Sequence, residues 1–298
     1  MNQLCKDFLD KHGLSPKTNF EQEENAIYWL ERTSSLLVQS VVNNDELLLD
    51  PSWGIIQFML DRAYQHITGS LILYLVGLNS SCEALSRVAF ESSVNVLYIL
   101  KDSNRMERII YHFSSYVVSE RKQNQNWSES IANLNAQDQI PQKRGIAQKS
   151  EYLDMVENFL TGVANELGLS YPPQKSPKSA YDKFEELGRK TAYRTLYAAM
   201  SSQIHNDAED LLASFLLSAL NYTDEEQGSE FRRKLTKETE NFSRLMLYSS
   251  LQYYLEACLR YCEVFELDHV LHDVAQGYKT ISELTAKMAI NNSPHLFE

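Results

Sequence analysis

Apolar positions recur at helical spacing along most of the chain. Ile27, Leu30, Leu36, Leu37 and Val41 give one such period within Phe20–Val42. A second begins at Pro51, a residue suited to a first helical turn, and runs to about Gly77 through Ile55, Phe58, Met59, Ala63, Ile67, Leu71, Tyr74 and Leu75. A third, Glu83–Asp102, is apolar on nearly every side, the pattern of a buried helix. Its exception is a polar stripe. At about 100° per residue, Glu83, Arg87, Glu91, Asn95, Tyr98 and Asp102 fall within an arc of roughly 120°. Polar groups buried in this way need partners. One set is offered a hundred residues on, where Arg194, Tyr197, Ser201 and His205 share an arc of about 80° on the helix predicted for Thr191–Leu220.

The remaining pattern fills in around these segments. Residues 2–12 read as a short amphipathic helix ended by Gly13. Ser103 or Asn104 caps a helix over Arg105–Arg121. Residues 123–147 are polar and weakly periodic, and are predicted as a long surface excursion. Lys149–Leu167 is helical and stops at Gly168. A proline-containing loop over 170–179 precedes a helix at Ala180–Gly188. Asp224 caps a long helix reaching about Leu267, and a last helix is predicted from near Ser282. No repeat or shift in composition divides the chain. It reads as one helical domain over 1–298: an N-terminal helical extension (1–48), a core (49–222) and C-terminal helices (223–298). With only 10 Gly and 7 Pro, and no Asn-Gly or Asp-Gly hairpin signal, the fold class is an all-α antiparallel multi-helix bundle.

A net charge of −12 repels nucleic acid and anionic membranes at long range. One local excess runs against it: Lys175, Lys178, Lys183, Arg189, Lys190 and Arg194 outnumber Asp182, Glu185 and Glu186. Cys5, Cys82, Cys258 and Cys262 lack the spacing of a zinc site and read as reduced thiols of a cytoplasmic protein. The first residues carry no signal-peptide core, and the most apolar run, Gly69–Leu78, is too short to cross a bilayer. The expected protein has no metal, no cofactor and no membrane association. A ferritin-like di-iron centre needs two Glu-x-x-His motifs, and only Glu266–His269 is present. The cluster Asp268, His269, His272 and Asp273 reads as a solvated helix end. Glycine-rich phosphate loops, nucleophile elbows and zinc-protease motifs are absent from the sequence.

The paired stripes therefore carry the candidate chemistry, and two readings of them stay open. One is a buried hydrogen-bond network that sets the register of two core helices. The other is a cleft in which Arg87, Glu91 and His205 converge on a ligand. Ser86-Arg87, Glu91 and Tyr98 on one helix, and Tyr193-Arg194, Tyr197, Ser201 and His205 on the other, resemble a group of bacterial helical proteins known as a domain of unknown function. The likeness covers Pro51–Leu220. That group is in turn similar to the HEPN superfamily, whose helical bundles include RNA-cleaving toxins and antiphage effectors. The resemblance implies a HEPN-like bundle acting on RNA or a nucleotide. His205 would serve as general acid/base, Arg87 would stabilise phosphate charge and Glu91 would hold Arg87. Tyr98, Asp102, Arg194, Tyr197, Ser201 and Asn206 would bind around them. The implied partner is a second copy of the chain or a protein from the same operon. Arg105 and His112 have roughly the spacing of the HEPN ribonuclease signature, but Met106 stands where it has a polar residue.

Overall fold

The helix at the centre of the pattern forms where its apolar residues demand it. In the computed structural model, which describes residues 2–14, 23–42, 47, 49–171, 178–198, 215 and 225–291, this helix is α4, Asn79–Ile99. Before it come α1 (Gln3–Lys11), α2 (Glu24–Val42) and α3 (Pro51–Leu75). After it come α5 (Arg105–Ser130), α6 (Ala136–Glu166) and α7 (Ala180–Glu186). Next is α8 (Lys190–Ala192), which continues into a π-helical stretch at Tyr193–Tyr197. The long α9 (Glu225–Val264) and α10 (Asp268–Asn291) complete the described elements. Every regular element among the described residues is helical, so the protein is all-α. None of these helices is long and apolar enough to cross a membrane.

The described residues form two compact units, 1–100 with 183–298 and 101–182, divided within α7. The uniform composition of the chain gives no sign of that division. In the first unit α4 packs against α3 and α9, and α9 against α10. Small residues let three helices meet closely at Ser86. Its hydroxyl lies 2.6 Å from that of Ser70 on α3, and its carbonyl accepts a 2.7 Å bond from Ser250 on α9. Ser70 also donates to the Cys82 carbonyl at 2.9 Å. Each hydroxyl thus meets a partner without a long side chain to hold the backbones apart. Phe90, Tyr248, Tyr254 and Tyr261 are among the largest fully buried side chains of this unit. All four cysteines are buried free thiols, and burial pushes Cys82 up to about 11, far from a reactive thiolate.

Chain reversals account for the largest differences from the sequence reading. The α3–α4 turn uses Gly77 at φ +80°, as a helix-ending glycine should. The α9–α10 turn has no glycine. Glu266 takes φ 54° itself, and Leu267 N–H bonds back to the Cys262 carbonyl at 2.9 Å. Nothing in the local sequence marks this turn, so the last helix begins at Asp268 and not near Ser282. The acidic-histidine cluster is consequently the first turns of α10, where Asp273 pairs with Arg32 of α2 at 2.7 Å. Close by, the Trp29 ring lies where a Cβ on Gly277 would come within 2.7 Å.

The second unit corrects the predicted excursion over 123–147. It is a helical hairpin: α5 runs on to Ser130, a 3-10 turn follows at Ile131–Asn133, and α6 starts at Ala136. The apolar period is faint there because the hairpin tip buries little. Polar caps and contacts hold it instead. Asn135 accepts from Asp138 N–H at 3.0 Å, and Asn124 donates to the Ile146 carbonyl and to Ser150. The Trp127 ring lies against Gly145. Pro141 is accommodated within the second turn of α6.

Candidate functional site

The polar stripe that begins on α4 does not meet one partner; its members meet several. Glu83, the most buried of its members, accepts from Ser243 of α9. Arg87 and Glu91 are half-buried, and both meet Tyr197. The Arg87 guanidinium donates to the Tyr197 hydroxyl at 3.3 Å, and that hydroxyl donates to the Glu91 carboxylate at 3.2 Å. Arg87 also lies 5.1 Å from the centre of the Tyr197 ring. One step on, Asn95 accepts a 2.7 Å bond from Lys183 of α7, whose ammonium stands 5.9 Å from the Tyr98 ring. The last member, Asp102, belongs to the second unit. There it pairs with Arg108 and accepts from Asn104 N–H at 3.0 Å. Slight burial works against its charge, but these two donors hold its carboxyl below the usual range.

Aromatic packing places these groups. Phe184, one residue after Lys183, is fully buried with its ring 5.6 Å from Phe90, 5.5 Å from Tyr193 and 5.6 Å from Tyr197. Tyr193 and Tyr197 stack at 5.1 Å. Behind Phe90 lies Tyr253 at 4.3 Å, covered by the Arg189 guanidinium at 4.9 Å. Arg189 is held by a two-toothed pair with Glu256 on α9. Burial opposes the Arg189 charge, but the Glu256 carboxylate outweighs it and raises the guanidinium further above its ordinary value.

The π-helical stretch explains where the second stripe departs from the predicted arc. A π turn is wider than an α turn, so residues three apart no longer share a face. Tyr197 reaches the site, while Arg194 stands exposed over the Tyr193 ring at 5.8 Å. Of the sequence candidates, the structure brings together Arg87, Glu91 and Tyr197, with Tyr98 beside them under Lys183. Ser201, His205 and Asn206 lie outside the described residues.

The sequence reading placed Lys183 only in a basic run and passed over Phe184, because a short helix after a proline loop has too little period to show a buried face. Lys183 is the more informative. Burial lowers its pKa below the ordinary lysine value, with Glu91 pulling the other way. Among the described residues it has no carboxylate within ion-pair distance, only the neutral Asn95 oxygen and the Tyr98 ring. A cation so placed is costly to the fold. Lys183→Met, which keeps the stem and removes the charge, should therefore leave stability unchanged or raise it by up to about 1 kcal/mol in urea unfolding. A loss larger than that would make the amine a structural tie.

Chemically, Tyr197 links a cation and an anion through one polarised hydroxyl. Burial raises its pKa, the Arg87 bond works against that and Glu91 adds to it, so the phenol stays protonated at neutral pH. Two cations, an amide and a tyrosine stack suit a planar or anionic ligand. No described group of three or more His, Cys, Asp or Glu residues is arranged to hold a metal ion. The profile of the family of unknown function DUF5677 matches residues 54–226, more than half of the chain. The chain belongs to DUF5677. No curated protein and no solved structure matches it. The DUF5677 segment contains Arg87, Glu91, Lys183 and Tyr197, but not Ser243, Tyr253 or Glu256 of α9, which complete the packing behind them.

Proposed function

We propose that this DUF5677 chain is a HEPN-like helical effector that acts on RNA or a nucleotide, a bacterial antiphage toxin whose active face joins α4 to the segment after Tyr193. The observation that carries the reading is the Tyr197 hydroxyl between Arg87 and Glu91. It sets Arg87 and Glu91 of α4 beside Tyr197. In this reading Arg87 stabilises charge on a phosphate, and Glu91 holds Arg87 through Tyr197. His205, eight residues beyond Tyr197, acts as general acid/base. Lys183 adds a second cation and the tyrosine stack a surface for a base. The protein works in the cytoplasm, with a second copy or a protein from the same operon.

The test is RNA binding and cleavage by purified protein. A surface of net charge −12 makes affinity weak and steeply dependent on salt. Lys178→Glu with Lys190→Glu, on the basic run that leads into the site, should weaken binding further without unfolding the protein. Lys183 is unsuited to reversal because it is half-buried. Protein that neither binds nor cleaves total cellular RNA at low salt, alone or with its operon partner, would remove the RNA reading.

One observation favours a second reading. Arg87 and Glu91 already satisfy each other through Tyr197, which is what a purely structural network requires. The chain would then be a non-catalytic interaction or sensor module, and substitutions at the site would act through stability alone.

A further inference from the structure

Beyond the Tyr197 link, the stripe of α4 carries hydrogen-bonding capacity that the fold does not use. Glu91 and Asn95 are four residues apart, so their side chains are neighbours on one face of α4. A carboxylate offers about four acceptor positions, and Tyr197 takes one of those on Glu91 at 3.2 Å. Lys183 donates to the Asn95 oxygen at 2.7 Å. Lysine has donors only, so it fixes the Asn95 amide: the oxygen faces the ammonium, and the NH2 group points elsewhere. Among the described residues, neither that NH2 group nor the second Glu91 oxygen has a protein partner. Neither atom is sealed in the core without one, and Glu91, Asn95 and Lys183 are each half-buried. These groups therefore reach solvent.

The result is an ordered edge, with donors at Lys183 and Asn95 and an acceptor about one turn away at Glu91. Charge alone does not choose a ligand here, but that order does. The Watson–Crick edge of guanine is its complement, with O6 as acceptor beside N1–H and N2–H as donors. A carboxylate takes two adjacent N–H groups at once, as it does from a guanidinium. Adenine and cytosine carry an amino group where guanine has O6 and a ring nitrogen without hydrogen where it has N1–H. Donor then meets donor, and a lone pair meets the carboxylate. Uracil matches at O4 and N3–H but offers Glu91 no second donor. Such mismatches are rejected because each polar group loses water without gaining a bond.

We propose that Lys183, Asn95 and Glu91 form a guanine-reading subsite, in which Asn95 and Lys183 donate to O6 and Glu91 accepts from N1–H and N2–H. The proposal rests on the RNA or nucleotide reading of this site and names the base that it takes. It supplies an acceptor to the Lys183 cation, which has only the Asn95 oxygen and the Tyr98 ring among the described residues. Arg87, about one turn before Glu91 on α4, is left for the phosphate.

Binding of the full chain at low salt to short single-stranded oligoadenylates with one central substitution tests it. A central guanine should bind about tenfold or more tighter than adenine or cytosine. Hypoxanthine, which lacks only the N2 amine, and uracil should fall between. Glu91→Gln keeps an oxygen for Tyr197 but turns N–H groups toward N1 and N2, so it should erase the preference for guanine. Asn95→Asp sets an acceptor against O6 while giving Lys183 a carboxylate, so it should erase the preference with Tm unchanged or raised. Equal binding whatever the central base, or a guanine preference that survives either substitution, would overturn the guanine assignment and leave the RNA reading standing. Failure to bind any of these oligonucleotides would overturn both.

Discussion

Phe184→Ala should lower the stability of the chain by about 3–5 kcal/mol, as loss of a fully buried phenylalanine does. The ring is completely enclosed and meets Phe90, Tyr193 and Tyr197 within 5.6 Å. Removing it takes away the transfer energy of the ring and leaves a cavity that stiff aromatic neighbours cannot close. Phe184→Leu retains much of the volume and should cost under about half as much. Urea unfolding measures both. The effect also reaches the site, because Tyr197 is held against Arg87 and Glu91 partly by this packing. A cost below about 1 kcal/mol would show that α7 contributes little to the core, and that the Tyr197 position has another cause.

Substitutions at His205 and Arg87 separate the two functional readings. If the site is catalytic, His205→Ala should reduce RNA cleavage by about 10²–10⁴-fold, the usual contribution of a general acid/base, while barely moving Tm. Arg87→Ala should lower activity as well, and it should also cost roughly 1–2 kcal/mol. That cost is smaller than for a fully buried charge pair, since both Arg87 and Glu91 are half-exposed and water can take over part of the lost bond. Arg87→Lys restores the charge but not the planar donor, so it should recover stability more than rate. If the site is structural, both alanine variants should change Tm in proportion to lost contacts, and no cleavage should be found in wild type. A His205→Ala protein with wild-type ribonuclease activity would exclude His205 from the mechanism.

Much of the fold was legible because long helices repeat their apolar residues often enough to define a face. The period of α3, the all-round burial of α4 and the stop at Gly168 all appear where the pattern puts them. So does the meeting of Arg87 and Glu91 with Tyr197, since a polar stripe on a buried helix requires partners and the second stripe had the matching residue types. Two segments were misread for the same reason. The hairpin over 123–147 folds through caps and side-chain bonds, and the reversal at Glu266 uses a left-handed residue without glycine. Neither device leaves a periodic or compositional trace.

What the sequence determined by itself is the helical class and the set of side chains on each face of a regular α-helix, because both follow from spacing along one chain. Which faces meet was decided by tertiary structure. A π-helical stretch that no spacing rule foresees left Arg194 exposed over the Tyr193 ring, and Asp102 was drawn into a turn with Arg108. Lys183 became a half-buried cation over Tyr98, although its neighbours in sequence mark it only as one of a basic run. Its burial comes from Phe184, whose ring must enter the core between Phe90 and Tyr197 and carries the adjacent lysine in with it. Periodicity records which residues share a face, but the energy of a site depends on what stands opposite, and that is a property of the packed chain.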